Sequence, residues 1–243
     1  NLHPEMKGIS KNNGHIHVGA LTTFEEFAFH PYIKEIIPQI DDYMFLNASW
    51  QIRNRATLGG NIINASPIGD MTILLLAMDA QLVLQNGSGS RKVPLTSFYN
   101  GYKQIDKTDS EVLTEILIPN SAIESKIHFE KVSKRKCLDI ASVNMAISVK
   151  GQDGFIEDIS LAIGGIAPIP LYMKESCSML KGQAVSKNLV EKAATLIQQE
   201  ISPITDVRGS MEYKRLLAHQ LVIKSFITLF PESLSAEEFY EKH

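Results

Sequence analysis

The sequence predicts an α+β protein in which antiparallel strands are followed by helices. Alternating apolar residues at 143–149 and 159–163 flank a turn signal at Asp153-Gly154, which indicates an antiparallel hairpin with one buried face. Apolar residues at helical spacing then follow at 187–199 and 210–230. Because these strands precede the helices instead of alternating with them, the pattern favours an α+β architecture over a βαβ fold.

The first half of the chain has its own strand and helix signals. Residues 15–20 read as a short strand. Thr23, followed three residues later by Glu26, has the spacing of a capping box, and the helix that it starts should end at Pro31. The other predicted elements are a helix from Pro38, a buried helix at 71–78, strands at 81–84, 92–95 and 112–118, and a hairpin turn at Asn86-Gly87.

A change of pattern after the strand at 112–118 predicts a domain boundary. The chain has 243 residues, which is enough for two domains. Ser186 and Ser210 are the predicted N-caps of the two late helices. We therefore expect a first domain at 1–122, a second at 126–232 and a tail at 233–243.

Composition and charge exclude several classes of protein. The chain is 44% hydrophobic and 21% charged with a net charge of −3, which indicates neither nucleic acid nor an anionic membrane as a partner. No apolar run approaches the ~20 residues needed to span a bilayer, and no signal peptide is visible, so we expect a cytoplasmic protein.

The cysteine count excludes most metal chemistry in this chain. Its two cysteines, Cys137 and Cys177, are too few for an iron–sulfur cluster, which usually has four thiolate ligands. They also argue against a disulfide scaffold. His15 and His17 share a strand face, where a solvated surface is favoured over a metal site. We expect no metal ligands here.

The segment 57–70 is the one whose residues indicate binding chemistry. Gly59 and Gly60 lack a Cβ, so a ligand can approach the backbone, and consecutive amides in such a turn can bind an anion. Around them lie short, uncharged, hydrogen-bonding side chains, those of Thr57, Asn61, Asn64 and Ser66. Such a turn can hold a diphosphate without lysine, although a tight surface turn with satisfied amides fits the same composition.

Asp70 closes this segment at the start of an apolar helix. Its carboxylate could accept hydrogen bonds from sugar or ribityl hydroxyls, or it could be the helix N-cap. The segment contains neither a Walker A motif nor the G-x-G-x-x-G of a Rossmann unit.

The complete motif resembles a known family signature. Gln51-Ile-Arg-Asn-Arg-Ala-Thr-Leu-Gly-Gly-Asn-Ile together with Ala65-Ser-Pro-x-x-Asp70 closely resembles the flavin-binding signature of the xanthine dehydrogenase and carbon monoxide dehydrogenase flavoproteins. Further blocks that resemble this family occur in order at 19–23, 76–80, 98–102, 111–119, 135–141, 164–168 and 206–215.

The resemblance implies a fold and a cofactor. The expected fold is an FAD-binding domain of the vanillyl-alcohol-oxidase (PCMH) type, followed by a small α+β domain. Family members also have an amino-terminal lobe with a first glycine-rich loop, similar to Ala-Gly-Gly-Thr-Asp, that grips the FAD diphosphate. No such loop occurs in this sequence, so we expect the lobe to be missing and FAD to bind weakly or to leave the site empty.

The resemblance also implies roles for individual positions. Asn47 replaces the aromatic residue that stacks on the flavin in animal enzymes, and Gly69 stands where some members have serine. Lys131 is favoured over the nearby Lys134 and Lys136 as a cation beside the flavin. The positions that match FAD contacts are Thr57, Gly60, Asn61, Asn64 and Asp70 for phosphates and sugar, Ala48 and Ile63 along the cofactor, and Leu113 and Lys131 near the adenine or isoalloxazine.

The implied function is that of an electron-transfer subunit in a hetero-oligomeric molybdenum hydroxylase. The molybdenum cofactor and the iron–sulfur clusters would lie on partner subunits, and FAD on this chain would pass electrons to NAD or another acceptor. The cofactor carries the redox chemistry, so no catalytic side chain is expected. Two alternatives are a flavin-free interaction subunit of the same complex and a stand-alone flavin oxidase, for which the chain lacks a substrate domain.

Overall fold

The computed structural model describes residues 3–239. This part of the chain contains a five-stranded and a four-stranded antiparallel sheet, two smaller two-stranded sheets and ten α-helices. The ends of the expected first domain and tail, residues 1, 2 and 240–243, lie outside the described part. The helices are α1 (Phe24–Phe29), α2 (Pro31–Ile36), α3 (Ile40–Leu46), α4 (Trp50–Arg53), α5 (Leu58–Ile63), α6 (Asp70–Ala77), α7 (Lys174–Leu180), α8 (Lys187–Glu200), α9 (Met211–Leu229) and α10 (Ala236–Phe239).

Thirteen strands pair within the same described range. They are β1 (Ile9–Asn12), β2 (His15–Gly19), β3 (Gln81–Asn86), β4 (Gly89–Pro94), β5 (Tyr99–Gly101), β6 (Gln104–Ile105), β7 (Val112–Pro119), β8 (Ser125–Val132), β9 (Val143–Lys150), β10 (Phe155–Ile156), β11 (Asp158–Gly164), β12 (Leu171–Tyr172) and β13 (Gln183–Ala184). Short 3₁₀ turns lie at Pro4–Met6, Leu95–Ser97 and Asn120–Glu124.

The first sheet has the strand order β1-β2-β7-β3-β4, and all of its pairs are antiparallel. The β3–β4 hairpin turns where Asn86 pairs with Gly89, as the Asn-Gly signal predicts. Leu82 and Leu84 alternate with more exposed neighbours on β3, so one face of this strand packs into the core. The predicted strands at 15–20, 81–84, 92–95 and 112–118 are confirmed, and no end differs by more than three residues.

The predicted helix starts are confirmed at three caps. Thr23 and Glu26 form both hydrogen bonds of a capping box at α1. Ser186 accepts from the third backbone amide of α8, and Ser210 does the same for α9. Pro31 follows His30, the C-cap of α1, and is the first residue of α2, where its missing N–H costs no helical hydrogen bond.

The second sheet has the strand order β12-β11-β9-β8, and both faces of β9 are buried. Ala146 packs with the first hydrophobic core, whereas Met145 and Ile147 pack with the second, which contains α8 and α9. The prediction of one buried face was therefore wrong. The cause is α6, which is buried on all sides and lies against β9 and β11, so that it covers the face expected to be solvated.

The two cores do not follow the expected domain limits residue by residue. Ile127 and Phe129 of β8 pack with the first core, although they lie beyond the predicted boundary. Leu234 is buried in the second core, and α10 contacts α9. The limits 1–122, 126–232 and 233–243 stay a prediction. Among the described helices, none is long and apolar enough to cross a membrane.

Candidate functional site

A cleft of about 1130 Å³ lies between the two halves of the structure. One wall is formed by the α3–α4 turn, α5, the loop 64–69 and the β5–β6 hairpin, and the other by residues 131–141, 165–168 and 202–214. The cleft gathers six of the predicted binding residues, namely Ala48, Asn61, Asn64, Ser66, Asp70 and Lys131. Thr57, Gly59, Gly60, Ile63 and Leu113 are not among its lining residues.

The paired glycines belong to the first turn of α5, so the expected glycine-rich turn was wrong. Thr57 is the N-cap, and its Oγ1 accepts from the Gly60 amide at 3.1 Å. The Gly59 amide donates to the Ala20 carbonyl at 2.8 Å, and a Cβ at Gly59 would lie 2.7 Å from that oxygen. Glycine is required at 59 for close packing, and these two amides are already satisfied within the protein.

Asn61 fastens α5 to α6. Its Oδ1 accepts from the Thr72 amide at 3.0 Å and from the Thr72 hydroxyl at 2.8 Å. A Cβ at Gly69 would lie 3.0 Å from the same Oδ1, so the absence of serine there leaves room for this contact. The Asn61 NH₂ group is the donor that remains for a ligand.

Asp70 forms a buried ion pair with Lys131 at the floor of the cleft. Lys131 Nζ donates to Asp70 Oδ2 at 2.7 Å and to the Leu46 carbonyl at 2.8 Å. The side chains of Lys131 and Asp70 are 3% and 12% exposed, so the pair is shielded from water. Asn144 Nδ2 donates to the other carboxylate oxygen at 2.6 Å.

The structure excludes one of the two interpretations of Asp70, that of a helix N-cap. Burial raises the pKa of the Asp70 carboxyl, while the Lys131 ammonium and the Asn144 amide oppose that rise. Gly69 is the N-cap of α6 and Asp70 is its first helical residue, so the N-cap interpretation was wrong. The carboxylate joins α6 to the second sheet, because Lys131 lies on β8 and Asn144 on β9.

The α3–α4 turn presents Asn47 and Ala48 to the cleft. Ala48 has a positive φ of 50°, and Arg53 Nη1 donates to the carbonyls of Met44, Asn47 and Ala48 at 2.9–3.2 Å. A fourth hydrogen bond, from Arg53 Nε, ties the same guanidinium to the carboxylate of Glu25 at 2.7 Å. The turn is therefore held by one cation that bridges three carbonyls.

The basic loop after β8 divides into exposed and cleft-facing residues. Lys134 and Lys136 are exposed and do not line the cleft, as the preference for Lys131 expects. Lys134 Nζ donates to the Val207 carbonyl at 2.8 Å, which ties this loop to the segment 202–214 of the same wall. Arg135 lines the cleft and donates to the Leu138 carbonyl at 2.7 Å.

Sequence reasoning missed two polar groups that shape the site. Asn144 is fully buried, and its signal was a polar residue within the apolar alternation of β9. Lys214, with a side chain 3% exposed, donates to Asp206 Oδ2 at 2.8 Å and to the Ile204 carbonyl at 2.9 Å. Burial opposes the charge of Asp206, but the Lys214 ammonium and the Arg208 amide lower its pKa. These residues occur in the 206–215 block, to which no individual role was given.

The chain matches two families that together cover most of its length. The family described as FAD binding domain in molybdopterin dehydrogenase matches residues 3–121. The family described as CO dehydrogenase flavoprotein C-terminal domain matches residues 128–229.

Individual relatives and solved structures are similar over nearly the full chain. The glyceraldehyde dehydrogenase medium chain of Sulfolobus acidocaldarius is 31% identical over 222 residues, which are 91% of this chain and 78% of that protein. The carbon monoxide dehydrogenase medium chain of Hydrogenophaga pseudoflava is 31% identical, with 90% of this chain and 76% of that one covered.

The fold comparison gives a similar result. A structure of carbon monoxide dehydrogenase from Hydrogenophaga pseudoflava matches with a TM-score of 0.85 and 30% identity, covering 90% of this chain and 76% of that one. Quinoline 2-oxidoreductase from Pseudomonas putida 86 matches with a TM-score of 0.83 and 25% identity, covering 95% and 80%.

Proposed function

Because the chain belongs to the family of FAD-binding subunits of molybdopterin dehydrogenases, we propose that it passes electrons from the iron–sulfur clusters of a partner subunit to NAD or another acceptor. Family membership confirms the predicted resemblance, the FAD-binding α+β fold, the oxidoreductase class and FAD as the cofactor. The electron acceptor and the partner subunits belong to the proposal.

The observation that carries the proposal is the cleft itself. It brings together six residues that sequence reasoning had assigned to FAD from three separate stretches of chain. Its volume of about 1130 Å³ slightly exceeds the ~300–1,000 Å³ of common ligand pockets, which suits an extended dinucleotide. Its lining combines amide, hydroxyl and charged groups with apolar side chains, and the chemistry of this set fits FAD.

The proposed binding roles belong to polar groups of the cleft that can still form hydrogen bonds with a ligand. Ser66 lines the cleft, and its hydroxyl makes no hydrogen bond within the described part of the chain, so it is a donor for phosphate or sugar oxygens. The Asn61 NH₂ group is a second donor. Asp70 accepts through its remaining lone pairs, and Ala48 contributes backbone contacts.

The remaining predicted positions act indirectly. Thr57 and Gly59 shape α5, which carries Asn61 towards the cleft. Gly60 is exposed in the same turn, and Ile63 is partly buried in the first core. Leu113 is 5% exposed in the first core and does not line the cleft. Bound FAD supplies the redox chemistry, while these residues bind and orient it.

Partners are needed because this chain cannot hold the other redox centres. It has two cysteines, Cys137 and Cys177, and Cys177 is buried, whereas an iron–sulfur cluster takes four thiolates. We therefore propose that partners supply the iron–sulfur clusters and the molybdenum cofactor. Two relatives are named as a medium chain and an FAD-subunit, which fits a role within a larger assembly.

The test is a titration of the full chain with FAD, followed by flavin fluorescence, for wild type and Ser66→Ala. Loss of one neutral hydrogen bond of about 1 kcal/mol should weaken FAD binding about fivefold. Ser88→Ala, in the exposed β3–β4 turn, is the matched control and should bind FAD as wild type does. Weak binding of FAD by the wild-type protein would agree with the proposal, whereas no binding at any FAD concentration would contradict it.

A second experiment tests the electron path. The chain is purified with its partners, and its FAD is reduced anaerobically through the molybdenum subunit and then mixed with NAD. Return of the oxidised-flavin absorbance on a catalytic timescale supports NAD as the acceptor. Flavin that stays oxidised when the molybdenum subunit is reduced would refute the relay.

A further inference from the structure

The β5–β6 hairpin projects two exposed side chains, Tyr102 and Lys103, over the cleft. Its base is firmly anchored, because Phe98 is fully buried with its ring centroid 5.3 Å from that of Tyr99. The Tyr99 hydroxyl donates to the Ile62 carbonyl at 3.1 Å, which links the hairpin to α5. The tip is therefore held in a defined position at the mouth of the cleft.

Lys103 occupies a backbone conformation that favours glycine. Gly101 pairs with Gln104, so Tyr102 and Lys103 are the two central residues of the turn. Lys103 has a φ of +58°, and the second central position with positive φ is normally taken by glycine or asparagine. Lysine is conformationally unfavourable at this position, where the backbone alone would favour glycine or asparagine. Its side chain is the remaining reason for its presence.

The Lys103 ammonium is directed at the predicted phosphate-binding residues. It donates to the backbone carbonyl of Asn64 and, at 3.1 Å, to Asn64 Oδ1. These neutral oxygens satisfy two of its three donors and cancel none of its charge.

The neighbouring buried lysines of the cleft differ in this respect. Lys131 is paired with Asp70 and Lys214 with Asp206. Within residues 3–239, Lys103 has no carboxylate within 4.0 Å. A positive charge without a counter-ion therefore stands at the entrance of the cleft, held close to Asn64.

We propose that Lys103 binds a phosphate group of a dinucleotide held in this cleft, an inference that rests on the proposed function. An ammonium binds phosphate as a compact point charge, and a third N–H of Lys103 is available for it. The phosphate belongs either to FAD or to a nucleotide acceptor, since both have the same diphosphate chemistry. Lys103 would add the cation that the amide-and-hydroxyl wall lacks.

The test compares wild type with Lys103→Met and Lys103→Gly in the full chain. Lys92→Met is the control, because Lys92 is an exposed lysine on β4 whose loss changes the net charge equally. Dissociation constants are measured for FAD, for NADH and for riboflavin, which has no phosphate. Thermal unfolding without ligand is recorded in parallel.

The expected result is selective for phosphate. Both Lys103 variants should bind FAD or NADH about tenfold more weakly, as for loss of a charge-assisted hydrogen bond, while riboflavin binding stays within about twofold. Lys103→Gly should melt at or above the wild-type temperature because glycine relieves the left-handed backbone. Added salt should reduce the difference between wild type and variants.

Each outcome decides the proposal. A loss for FAD assigns the lysine to the cofactor diphosphate, and a loss confined to NADH assigns it to the acceptor. Equal binding by wild type and variants, or an equal loss for riboflavin, would overturn the inference and leave a structural contact with Asn64. Wild-type protein that binds no FAD would instead overturn the proposed function, and with it this inference.

Discussion

The buried ion pair between Lys131 and Asp70 allows a quantitative prediction. Lys131→Met keeps most of the apolar stem of the side chain but removes the ammonium that donates to Asp70 and to the Leu46 carbonyl. The carboxylate is then left 12% exposed with the Asn144 amide as its remaining side-chain partner. The variant therefore tests the cost of an uncompensated charge at the floor of the cleft.

The magnitude follows from the burial of both partners. Removing one partner of a buried pair costs about 3–5 kcal/mol. The hydrogen bond from Asn144 and the residual exposure of Asp70 place this variant near the lower end, at about 3 kcal/mol. For a chain of this length the melting temperature should fall by about 6–12 °C.

The loss of stability in Lys131→Met should depend on pH in a defined direction. Burial raises the pKa of Asp70, and losing the Lys131 ammonium removes an interaction that opposes this rise. A carboxyl with a raised folded pKa destabilises the fold at higher pH, and this deficit disappears as the pH falls through that pKa. The stability gap between Lys131→Met and wild type should therefore narrow from pH 8 to pH 5.

Urea unfolding followed by circular dichroism at several pH values measures this gap. Lys192→Met, on the exposed face of α8, is the control and should stay within about 0.5 kcal/mol of wild type. The double variant Lys131→Met/Asp70→Asn should recover part of the loss, because no unpaired charge remains. A single variant as stable as wild type at pH 8 would refute the reasoning.

Three further predictions concern α5 and the two thiols. Thr57→Ala should cost about 1 kcal/mol in urea unfolding because α5 loses its N-cap, and an unchanged midpoint would contradict this cap. Gly59→Ala should cost about 1–3 kcal/mol through overpacking, since its Cβ would lie 2.7 Å from the Ala20 carbonyl oxygen, and wild-type stability would show that α5 can shift freely. Burial raises the pKa of Cys177 to about 11, so Ellman's reagent at pH 8 should titrate Cys137 alone in the native protein and both thiols in denaturant.

Local signals in the sequence were enough to predict most of the elements. Thr23, Ser186 and Ser210 act as N-caps because a short side-chain oxygen satisfies amides within its own turn, which needs no tertiary information. The Asn86-Gly87 hairpin likewise depends on backbone preferences over four residues. Family resemblance then supplied the domain types that such signals cannot give.

Long-range packing explains where sequence reasoning went wrong. The composition of Gly59 and Gly60 predicts a turn, but Thr57 caps a helix that contains both residues. The carbonyl of Ala20, just after β2, leaves no room for a Cβ at Gly59. The hairpin of β9 and β11 was predicted to have one solvent-exposed face. Its sequence does not show that α6, some seventy residues earlier in the chain, packs on that face. Asn144 was missed because its partner Asp70 is distant in sequence.

The contacts of the cleft residues also separate two ways in which a substitution can weaken FAD binding. Asn61 and Asp70 already hold α5 and the second sheet to α6, so changing either should lower the stability of the ligand-free protein as well as its affinity. Ser66 has no such hydrogen bond within residues 3–239, so its loss should act on affinity alone. Ligand stabilises the fold by RT ln(1 + [L]/Kd), so melting temperatures at several FAD concentrations separate the two effects. Lower stability reduces the melting temperature without FAD, whereas lower affinity reduces the rise in melting temperature that a given FAD concentration produces. An Asn61→Ala protein with the wild-type melting temperature without FAD would show that its bonds to Thr72 contribute nothing to the fold.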